Sequence, residues 1–393
     1  MRKKILFVLP GFNFGGTVFS TLNMISLIQD RYDISVLPMH PYGPVRTNYQ
    51  NINIIQPDCS LMAVAAMPSE LERNSINRIK LNFFKLINHI CMRCNIDFTK
   101  YIYKKQAESL MKKYNFDVVA SCQEYMATDF ASYFSSYRII AWNRTEMSIH
   151  IPNMSEVEKK RMNDTYCKFD KIVSVSQTTS DDLASCFTDI KDKCVAIHNI
   201  QNFENIIRKS EEYIEDSFDK GIFNIVSVGR IAKQKQFYRI PAIAKKLHDE
   251  LELNFKWYII GDGNVLGEND RLQSELDKYN NREYVVCIGS RLNPYPYIAA
   301  ADLLVNTSYY EACPRVVAEA QILHTPVICA DFSSAKEFVK NGENGFIDTI
   351  DMLWKPIADM ISDKDSYNRI KTNCNNYTSE NDAIIMQLHS LFD

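Results

Sequence analysis

Two carboxylates at a fixed spacing are the first residues of this chain that could do chemistry. Glu311 and Glu319 lie eight positions apart, with Pro314 between them. The run 301–308 has the apolar pattern of a buried strand, and Pro314 predicts the start of a helix that ends near Leu323. At a rise of ~1.5 Å per residue, the two carboxylates can lie on the order of 10 Å apart. Each accepts hydrogen bonds from vicinal hydroxyl groups, so the pair could bind two polyol groups of one ligand.

A plainer interpretation of the same residues stays open on the sequence alone. Arg315 and Glu319 are four positions apart on the predicted helix and could form an exposed ion pair. Glu311 could be a solvated loop charge.

Two cations follow another predicted strand. Gly229 ends the strand that starts near Phe223, and Arg230 and Lys235 come directly after it. A diphosphate carries about two negative charges, and two fixed cations would stabilise it as a leaving group. The alternative is a solvated helix face that includes Lys233, which we expect to be solvated in either case.

Glycine-rich loops complete the set of candidate sites. Gly15 and Gly16 precede a helix predicted from about Val18 to Gln29, where unpaired N–H groups could bind an anion. A tight turn without a ligand is the alternative. The spacing is not G-x-G-x-x-G, which disfavours a nicotinamide enzyme.

Two further loops follow the strands that end at Ile260 and Ile288. The first is Gly261-Asp-Gly263, and the second contains Ser290, Arg291 and Leu292, whose backbone groups could contact a nucleobase. Structural loops are an equal alternative for both.

Composition limits the classes of protein that remain. A chain of 393 residues, 46% hydrophobic and 24% charged, is typical of a soluble globular protein with two domains, and its net charge of −3 argues against nucleic acid as a partner. The apolar run 5–9 is too short for a signal peptide, and no stretch approaches the roughly 20 apolar residues that cross a bilayer. Eleven cysteines, an odd number without a secretory signal, favour reduced thiols and a cytoplasmic location.

Strand and helix patterns alternate, which predicts an α/β fold with two Rossmann-like domains whose parallel sheets face a central cleft. We place a first Rossmann-like domain at 1–201, a linker at 202–220 and a second Rossmann-like domain at 221–365. A helical segment at 366–393 is expected to pack back on the first domain. The predicted strands are 5–9, 33–37, 52–55, 118–121, 139–142, 172–176, 195–198, 223–228, 256–260, 284–288, 303–306 and 326–330.

In their order along the chain, these motifs resemble the retaining GT-B glycosyltransferases of family GT4, also called group 1. The family pattern of two glutamates separated by seven residues, with proline three after the first, is matched by Glu311, Pro314 and Glu319. The resemblance implies that Glu311 contacts the donor sugar and Glu319 the ribose, while Arg230 and Lys235 bind the diphosphate. The other donor-binding residues that it implies are Gly15, Gly16, Gly229, Gly261, Ser290, Arg291, Leu292, Ala312, Cys313, Pro314 and Arg315.

The sequence departs from the family pattern at three positions. Ala312 stands where glycine usually follows the first glutamate, and Gln236 stands where glycine commonly follows the lysine. Arg144, or as the less favoured alternative Asn143, occupies the place of a first-domain histidine that lies near the donor sugar in many members. We count Arg144 with Glu311, Arg230 and Lys235 as candidate catalytic residues.

The resemblance implies metal-independent transfer of a hexosyl group with retention, from a nucleotide sugar to a glycan or a lipid-linked acceptor in cell-surface polysaccharide biosynthesis. Uridine nucleotides are favoured by family frequency, and we expect neither a cofactor nor a metal. Two alternatives stay open: a catalytically weak GT-B subunit that binds a partner, and a nucleotide-sugar epimerase on the same fold.

The region 73–113 is basic and aromatic. It contains ten lysines and arginines against Asp97 and Glu108. This composition favours contact with an anionic membrane surface, and so a peripheral position on the inner face of the cytoplasmic membrane. A helix pair that packs on the core and has a solvated basic face is the alternative. The interleaved apolar residues are Phe83, Phe84, Leu86, Ile90, Phe98, Tyr101 and Tyr103.

Overall fold

The computed structural model describes residues 2–12, 15–40, 43, 51–57, 75–93, 97–213, 218–219, 221–263 and 265–393, without the side chains of 75–77, 92, 93 and 265. The chain forms two compact units. Unit 1 comprises 1–200 with 381–393, and unit 2 comprises 201–380. Among the described residues, no helix is long and apolar enough to span a membrane.

Unit 1 is built on a parallel sheet. In the described part of the chain seven strands pair in the order β3-β2-β1-β4-β5-β6-β7. The strands are β1 (Lys4–Leu9), β2 (Asp33–Pro38), β3 (Asn53–Ile54), β4 (Val118–Ser121), β5 (Arg138–Asn143), β6 (Lys171–Ser174) and β7 (Cys194–Ala196). Residues 5–9 of the central strand β1 are fully buried, as expected for a strand covered on both faces.

Helices connect these strands and cover the sheet. They are α1 (Gly16–Ile28), α2 (Ser75–Arg93), α3 (Phe98–Lys113), α4 (Met126–Ala131), α5 (Met147–His150), α6 (Glu156–Tyr166) and α7 (Gln177–Cys186). The last helix of the chain, at Asn381–Phe392, also belongs to this unit. Its Phe392 is fully buried, with its ring centroid 5.9 Å from that of Phe7 in β1.

Unit 2 contains a second parallel sheet, in which six described strands pair in the order β10-β9-β8-β11-β12-β13. These strands are β8 (Phe223–Val228), β9 (Phe255–Ile260), β10 (Val285–Gly289), β11 (Leu303–Asn306), β12 (Val327–Ala330) and β13 (Gly345–Asp348). Neighbouring residues of β8 point to opposite faces, so Ile225 joins one apolar cluster and Val226 the other. Both faces of the sheet are therefore covered.

The helices of unit 2 supply most of that cover. They are α8 (Phe203–Ser210), α9 (Ile240–Lys245), α10 (Glu268–Tyr279), α11 (Tyr295–Ala300), α12 (Arg315–Ile322), α13 (Ala335–Phe338), α14 (Trp354–Ser362) and α15 (Lys364–Asn375). The helix at Asn381–Phe392, which belongs to unit 1, is numbered α16.

The predicted fold class is confirmed, and the structure adds details at the carboxyl end. Strand β13 was not predicted from the sequence. Helix α15 packs in unit 2 through Ile370 and Cys374, so the segment that lies in unit 1 starts at Asn381 rather than at 366. The expected linker 202–220 contains α8, whose Ile206 is buried in a unit 2 cluster.

Candidate functional site

The order of the strands in unit 2 marks one place on its sheet where the chain reverses direction. From β8 the chain continues through β9 to β10 on one side, and then through β11 to β13 on the other. Ligands of open α/β sheets bind outside the carboxyl ends of the strands at such a switch point. Between β8 and β11, that edge is formed by the loop from Gly229 to Lys235 and by the loop from Thr307 to Glu311.

The structure pairs the predicted lysine with the first predicted glutamate. The Nζ atom of Lys235 donates to Oε1 of Glu311 at 2.5 Å, and the Ser308 hydroxyl donates to the same oxygen at 2.9 Å. The Lys235 and Glu311 side chains are only 19% and 11% exposed, so neither is a solvated surface charge. Since a carboxylate has about four acceptor positions, Glu311 can accept further hydrogen bonds from a hydroxylated ligand.

Residues that the sequence reasoning missed hold the Lys235 and Glu311 loops together. The backbone N–H of Tyr309 donates to the Gln234 carbonyl at 2.8 Å, and the Gln234 side chain donates to the Tyr310 carbonyl at 2.8 Å. The hydroxyl of Thr307 donates to the Lys235 carbonyl at 2.6 Å. These bonds, one between backbone groups and two from side chains to backbone, span 72 to 76 positions of sequence, and no spacing pattern predicts them.

Glycines allow the β8 and β9 strand ends to approach closely. A Cβ atom on Gly261 would lie 1.8 Å from the Gly229 carbonyl oxygen, which no side chain can tolerate. Gly229 has φ 154°, and a Cβ atom there would lie 3.1 Å from Cε of Lys235. The stem of Lys235 therefore lies against the backbone at Gly229, where the missing side chain leaves room for it.

The second glutamate of the pair lies inside α12. Pro314 is the N-cap residue, immediately before Arg315, which matches the predicted helix start to within one residue. Arg315 donates to Oε1 of Glu319 at 3.0 Å, and the Tyr295 hydroxyl lies 3.4 Å from the same atom. The ion pair of the plainer interpretation is thus formed, but the Glu319 side chain is only 8% exposed. Burial raises the pKa of Tyr295 above its usual range, and the neighbouring Glu319 carboxylate adds to the effect, so its hydroxyl stays protonated.

The remaining predicted residues of unit 2 lie on the loops of the same edge. Arg230 and Lys233 are exposed, whereas Ala312 and Cys313 are partly buried between Glu311 and α12. Arg291 donates to the Tyr297 hydroxyl at 3.1 Å, which braces the loop that follows β10. Ser290 and Leu292 of this loop are exposed, Leu292 by 95%. This loop therefore offers both backbone and side chains to solvent.

Unit 1 has its own switch point, between β1 and β4. Gly15 and Gly16 are exposed after β1, and the first turn of α1 has no acidic side chain. A Cβ atom on Gly15 would meet nothing within 4 Å. A small side chain at Gly15 would therefore meet no steric obstacle.

Arg144 connects several strand ends of unit 1. Its guanidinium donates to the Cys122 carbonyl at 2.8 Å, to the Ser20 hydroxyl at 2.6 Å and to Oδ1 of Asn199 at 2.8 Å. The side chain of Glu124, a residue that the sequence reasoning missed, accepts from the backbone N–H of Arg144. Burial raises the pKa of the Glu124 carboxyl. Arg144 thus braces the ends of β4, β5 and β7.

Comparison with known proteins agrees with this geometry. The sequence model of the family "Glycosyl transferases group 1" matches residues 209–377, a range that lies in unit 2 and contains the Lys235, Glu311 and Glu319 clusters.

Two curated relatives are similar to this chain in sequence. The N-acetylgalactosamine-N,N'-diacetylbacillosaminyl-diphospho-undecaprenol 4-alpha-N-acetylgalactosaminyltransferase of Campylobacter jejuni is 30% identical over 202 residues, 50% of this chain and 52% of that protein. The UDP-Gal:alpha-D-GlcNAc-diphosphoundecaprenol alpha-1,3-galactosyltransferase of Escherichia coli is 25% identical over 175 residues, 44% of each. The chain thus spans about half the length of the curated relatives that it matches.

Among solved structures, Anabaena HepE in complex with UDP and glucose has a TM-score of 0.73 to this chain at 16% identity, and the match covers 99% of both chains. At this identity the likeness concerns the fold. The two parallel sheets, with clusters at their carboxyl edges, define a protein of the GT-B class. Within unit 2, residues 209–377 match the family of group 1 glycosyltransferases.

Proposed function

We propose that the protein is a retaining glycosyltransferase that moves a hexosyl group from a nucleotide-diphosphate sugar, with UDP the favoured nucleotide, to a glycan or lipid-linked acceptor in cell-surface polysaccharide biosynthesis. The observation that carries the proposal is the Lys235–Glu311 pair at the switch point of unit 2, at 2.5 Å and mostly shielded from solvent. A cation beside a carboxylate matches a donor in which a diphosphate adjoins a sugar.

In this proposal the diphosphate binds the Lys235 ammonium, in place of Glu311, and the exposed Arg230 guanidinium. Glu311 then gives up its bond to Lys235 and accepts hydrogen bonds from hexose hydroxyls. Glu319, held by Arg315, accepts from the ribose. The loop of Ser290 to Leu292 contacts the base.

The transfer step needs no group outside donor and acceptor. The acceptor oxygen forms a bond to the anomeric carbon on the face from which the diphosphate leaves, and the bond between that carbon and the diphosphate oxygen breaks. The acceptor proton passes to the departing phosphate oxygen. Arg230 and Lys235 stabilise the charge that develops on the diphosphate, without a metal ion.

The activities for which the relatives are named support the choice of substrates. The Campylobacter jejuni and Escherichia coli proteins are both named as transferases acting on diphospho-undecaprenol-linked sugars, and the second is named for UDP-Gal. HepE holds UDP and glucose. By this similarity we propose a UDP-sugar donor, a lipid-linked acceptor and a peripheral position at the inner face of the cytoplasmic membrane, through the basic region 73–113.

The test measures nucleotide release from a panel of UDP, GDP and ADP sugars, with and without undecaprenyl-diphosphate-linked acceptor. We expect acceptor-dependent release from one UDP-sugar. Release without acceptor and with an isomerised sugar would favour an epimerase. Absence of release across the panel would favour a binding subunit.

A matched pair of variants tests the assigned cation. Lys235→Ala should lower the transfer rate at least about tenfold, equivalent to about 1.4 kcal/mol, because the diphosphate loses a fixed charge. Lys233 lies in the same loop, but its side chain is exposed. Lys233→Ala should therefore change the rate little. Turnover by Lys235→Ala close to the unmodified rate at saturating donor would refute the assignment.

A further inference from the structure

Helix α2 has apolar side chains on two faces, and only one of them packs on the protein. On the inner face, Leu81 and Phe84 are 7% and 6% exposed, and the Phe84 ring lies 5.7 Å from that of Phe98 in α3. A second set of apolar side chains, which we call the outer stripe, faces solvent. It consists of Ile79, Phe83, Leu86 and Ile90, which are 69%, 61%, 55% and 54% exposed.

The spacing of the outer stripe shows that it is one surface. At about 100° per residue, its four side chains fall within roughly 60° around the helix, on the side opposite Leu81 and Phe84. Single exposed apolar residues are normal on protein surfaces. Four large ones along three turns of one helix form a contiguous patch, and such patches mark contact sites.

The flanks of the outer stripe are basic. Arg78, Lys80 and Lys85 are exposed on α2 itself. Helix α3 adds Tyr101, which is 54% exposed, and further exposed lysines. These lysines are Lys100, Lys104, Lys105, Lys112 and Lys113. The described acidic residues of the two helices and their junction are Asp97 and Glu108, in ion pairs of 3.9 and 3.0 Å with Lys100 and Lys105.

An apolar stripe with cationic flanks fits one kind of partner better than another. A second copy of this chain would bring the same basic flanks face to face, and like charges oppose that contact. An anionic bilayer offers acyl chains to the stripe and negative headgroups to the flanks.

We propose that α2 lies in the surface plane of an anionic bilayer, with Ile79, Phe83, Leu86 and Ile90 inserted among the upper acyl chains and the lysines of α2 and α3 on the headgroups. The inference deepens the proposed function, on which it rests for its biological meaning, because it specifies which face meets the membrane that carries the acceptor. Arg73, one of the ten basic residues of region 73–113, lies outside the described residues and is not part of this proposal.

The first experiment measures flotation of the protein with two kinds of vesicle, one of phosphatidylcholine alone and one that also contains about 30% phosphatidylglycerol. The phosphatidylglycerol gives the second kind a strongly negative surface potential. These vesicles contain neither donor nor acceptor. The unmodified protein should bind the anionic vesicles, and less strongly at about 0.5 M salt. The stripe variant should bind at least about tenfold more weakly. It carries Ile79→Ser, Phe83→Ser, Leu86→Ser and Ile90→Ser.

The control variant changes exposed apolar residues of unit 1 that lie elsewhere. It carries Val157→Ser and Met386→Ser, at positions that are 79% and 72% exposed. Because these side chains lie outside the outer stripe, this variant should bind vesicles like the unmodified protein. If both variants lost vesicle binding to the same extent, the proposal would be overturned.

The second experiment measures insertion directly. A tryptophan introduced by Phe83→Trp should be quenched by lipids brominated on their upper acyl chains, whereas one introduced by Val157→Trp should not. Quenching of the tryptophan at 83 supports insertion. Vesicle binding without that quenching would overturn it in favour of electrostatic attachment alone.

The third experiment separates the flanks from the stripe. Neutralising four lysines of α2 and α3 should weaken anionic binding at least about tenfold, and a matched neutralisation in unit 2 should not. The first variant carries Lys80→Gln, Lys85→Gln, Lys104→Gln and Lys105→Gln. The matched one carries Lys336→Gln, Lys340→Gln, Lys278→Gln and Lys245→Gln, at side chains 77%, 71%, 58% and 41% exposed.

Two outcomes keep this proposal distinct from the proposed activity. Lys235→Ala should lose transfer and still bind vesicles, so a failure of the catalytic assignment leaves membrane binding measurable. If the unmodified protein binds no vesicles and light scattering shows a dimer that the stripe variant abolishes, the stripe is an interface between copies and the proposal is wrong.

Discussion

Lys235 and Glu311 are 76 positions apart in sequence, and the fold brings their charged groups to 2.5 Å. Taking two charges out of water costs several kcal/mol per ion before their attraction repays it, so a mostly buried pair is weak evidence for a stabilising role. At a strand edge where ligands bind, the pair is better explained as a preset arrangement. In the proposed mechanism, each charge neutralises the other until a diphosphate and a sugar replace those contacts.

Glu124 allows a pH test at the scale of one residue. Burial raises the pKa of its carboxyl in the folded state, so its contribution to stability is fully present below the unfolded pKa of about 4.3 and is lost as the pH rises through the folded value. Glutamine does not titrate. The difference in melting temperature, Glu124→Gln minus unmodified protein, should therefore increase from pH 4.5 to pH 8, as calorimetry would measure.

Glu156→Gln is the control for this measurement, because the Glu156 side chain is 87% exposed and its charge stays in water. Its difference from the unmodified protein should vary little with pH. A Glu124→Gln difference that is constant over the same range would contradict the assigned direction.

The residues of the site were predictable to different degrees. Arg230, Lys235 and Glu311 were singled out by residue type and by position after a strand, and Glu319 by its spacing from Glu311; their roles in ligand binding stay predictions. The supporting bonds of Gln234 and Thr307 run to backbone 76 and 72 positions away, and that of Ser308 runs to Glu311, three positions further on. They depend on loop conformation, which no local pattern encodes.

At the scale of elements, apolar runs predicted most strands because a strand buried on both faces is apolar at every position. Strand β13 was not predicted, because only Gly345 of its four residues is buried and the strand has no continuous apolar run. Helix α2 gave an ambiguous signal for the opposite reason. Its apolar residues satisfy helical spacing on two faces, and only the structure separates the packed face from the outer stripe.

The contact between β8 and β9 gives a prediction for an element. Gly261→Ala would place a methyl group 1.8 Å from the Gly229 carbonyl oxygen, so the two strand ends must separate. We expect a loss of about 3 kcal/mol or more in the free energy of unfolding, at or above the usual range for an overpacked site. Urea denaturation of the variant would measure it.

Gly15→Ala serves as the control for this experiment, because its Cβ would meet nothing within 4 Å and φ is 176°, an extended value that alanine adopts. Unfolding of this variant should match the unmodified protein within about 0.5 kcal/mol. If Gly261→Ala were as stable as Gly15→Ala, the close approach of the strand ends would be refuted.

At the scale of the whole molecule, the chain returns to unit 1 after completing unit 2. Helix α16 contributes the fully buried Phe392, together with Ile384, Leu388 and Leu391, which are 2 to 7% exposed. The ring of Tyr32 lies 5.7 Å from that of Phe392, and its hydroxyl bonds to His389 at 3.0 Å. Unit 1 is therefore stabilised by residues from both ends of the sequence.

Shortening the Phe392 side chain should destabilise unit 1, because its contacts with Phe7 and Tyr32 are lost. Phe392→Ala should cost about 3–5 kcal/mol, the usual loss when a buried phenylalanine leaves a cavity. Met386→Ala, on the same helix but 72% exposed, should cost less than about 0.5 kcal/mol. Limited proteolysis would report the difference as faster cleavage within 1–200. Equal protection of both variants would show that α16 adds little to this core.

The discontinuous composition of unit 1 also affects the order in which the chain folds during synthesis. Domains fold as units while the ribosome extends the chain, usually starting from the amino terminus. Here unit 2 is one continuous stretch, 201–380, whereas unit 1 lacks α16 until residues 381–393 have been translated. Synthesis of unit 1 therefore begins before that of unit 2 and is completed after it. Throughout translation of unit 2, the nascent first unit exposes the apolar surface around Phe7 and Tyr32 that Phe392 later covers, and such transiently exposed surface favours aggregation.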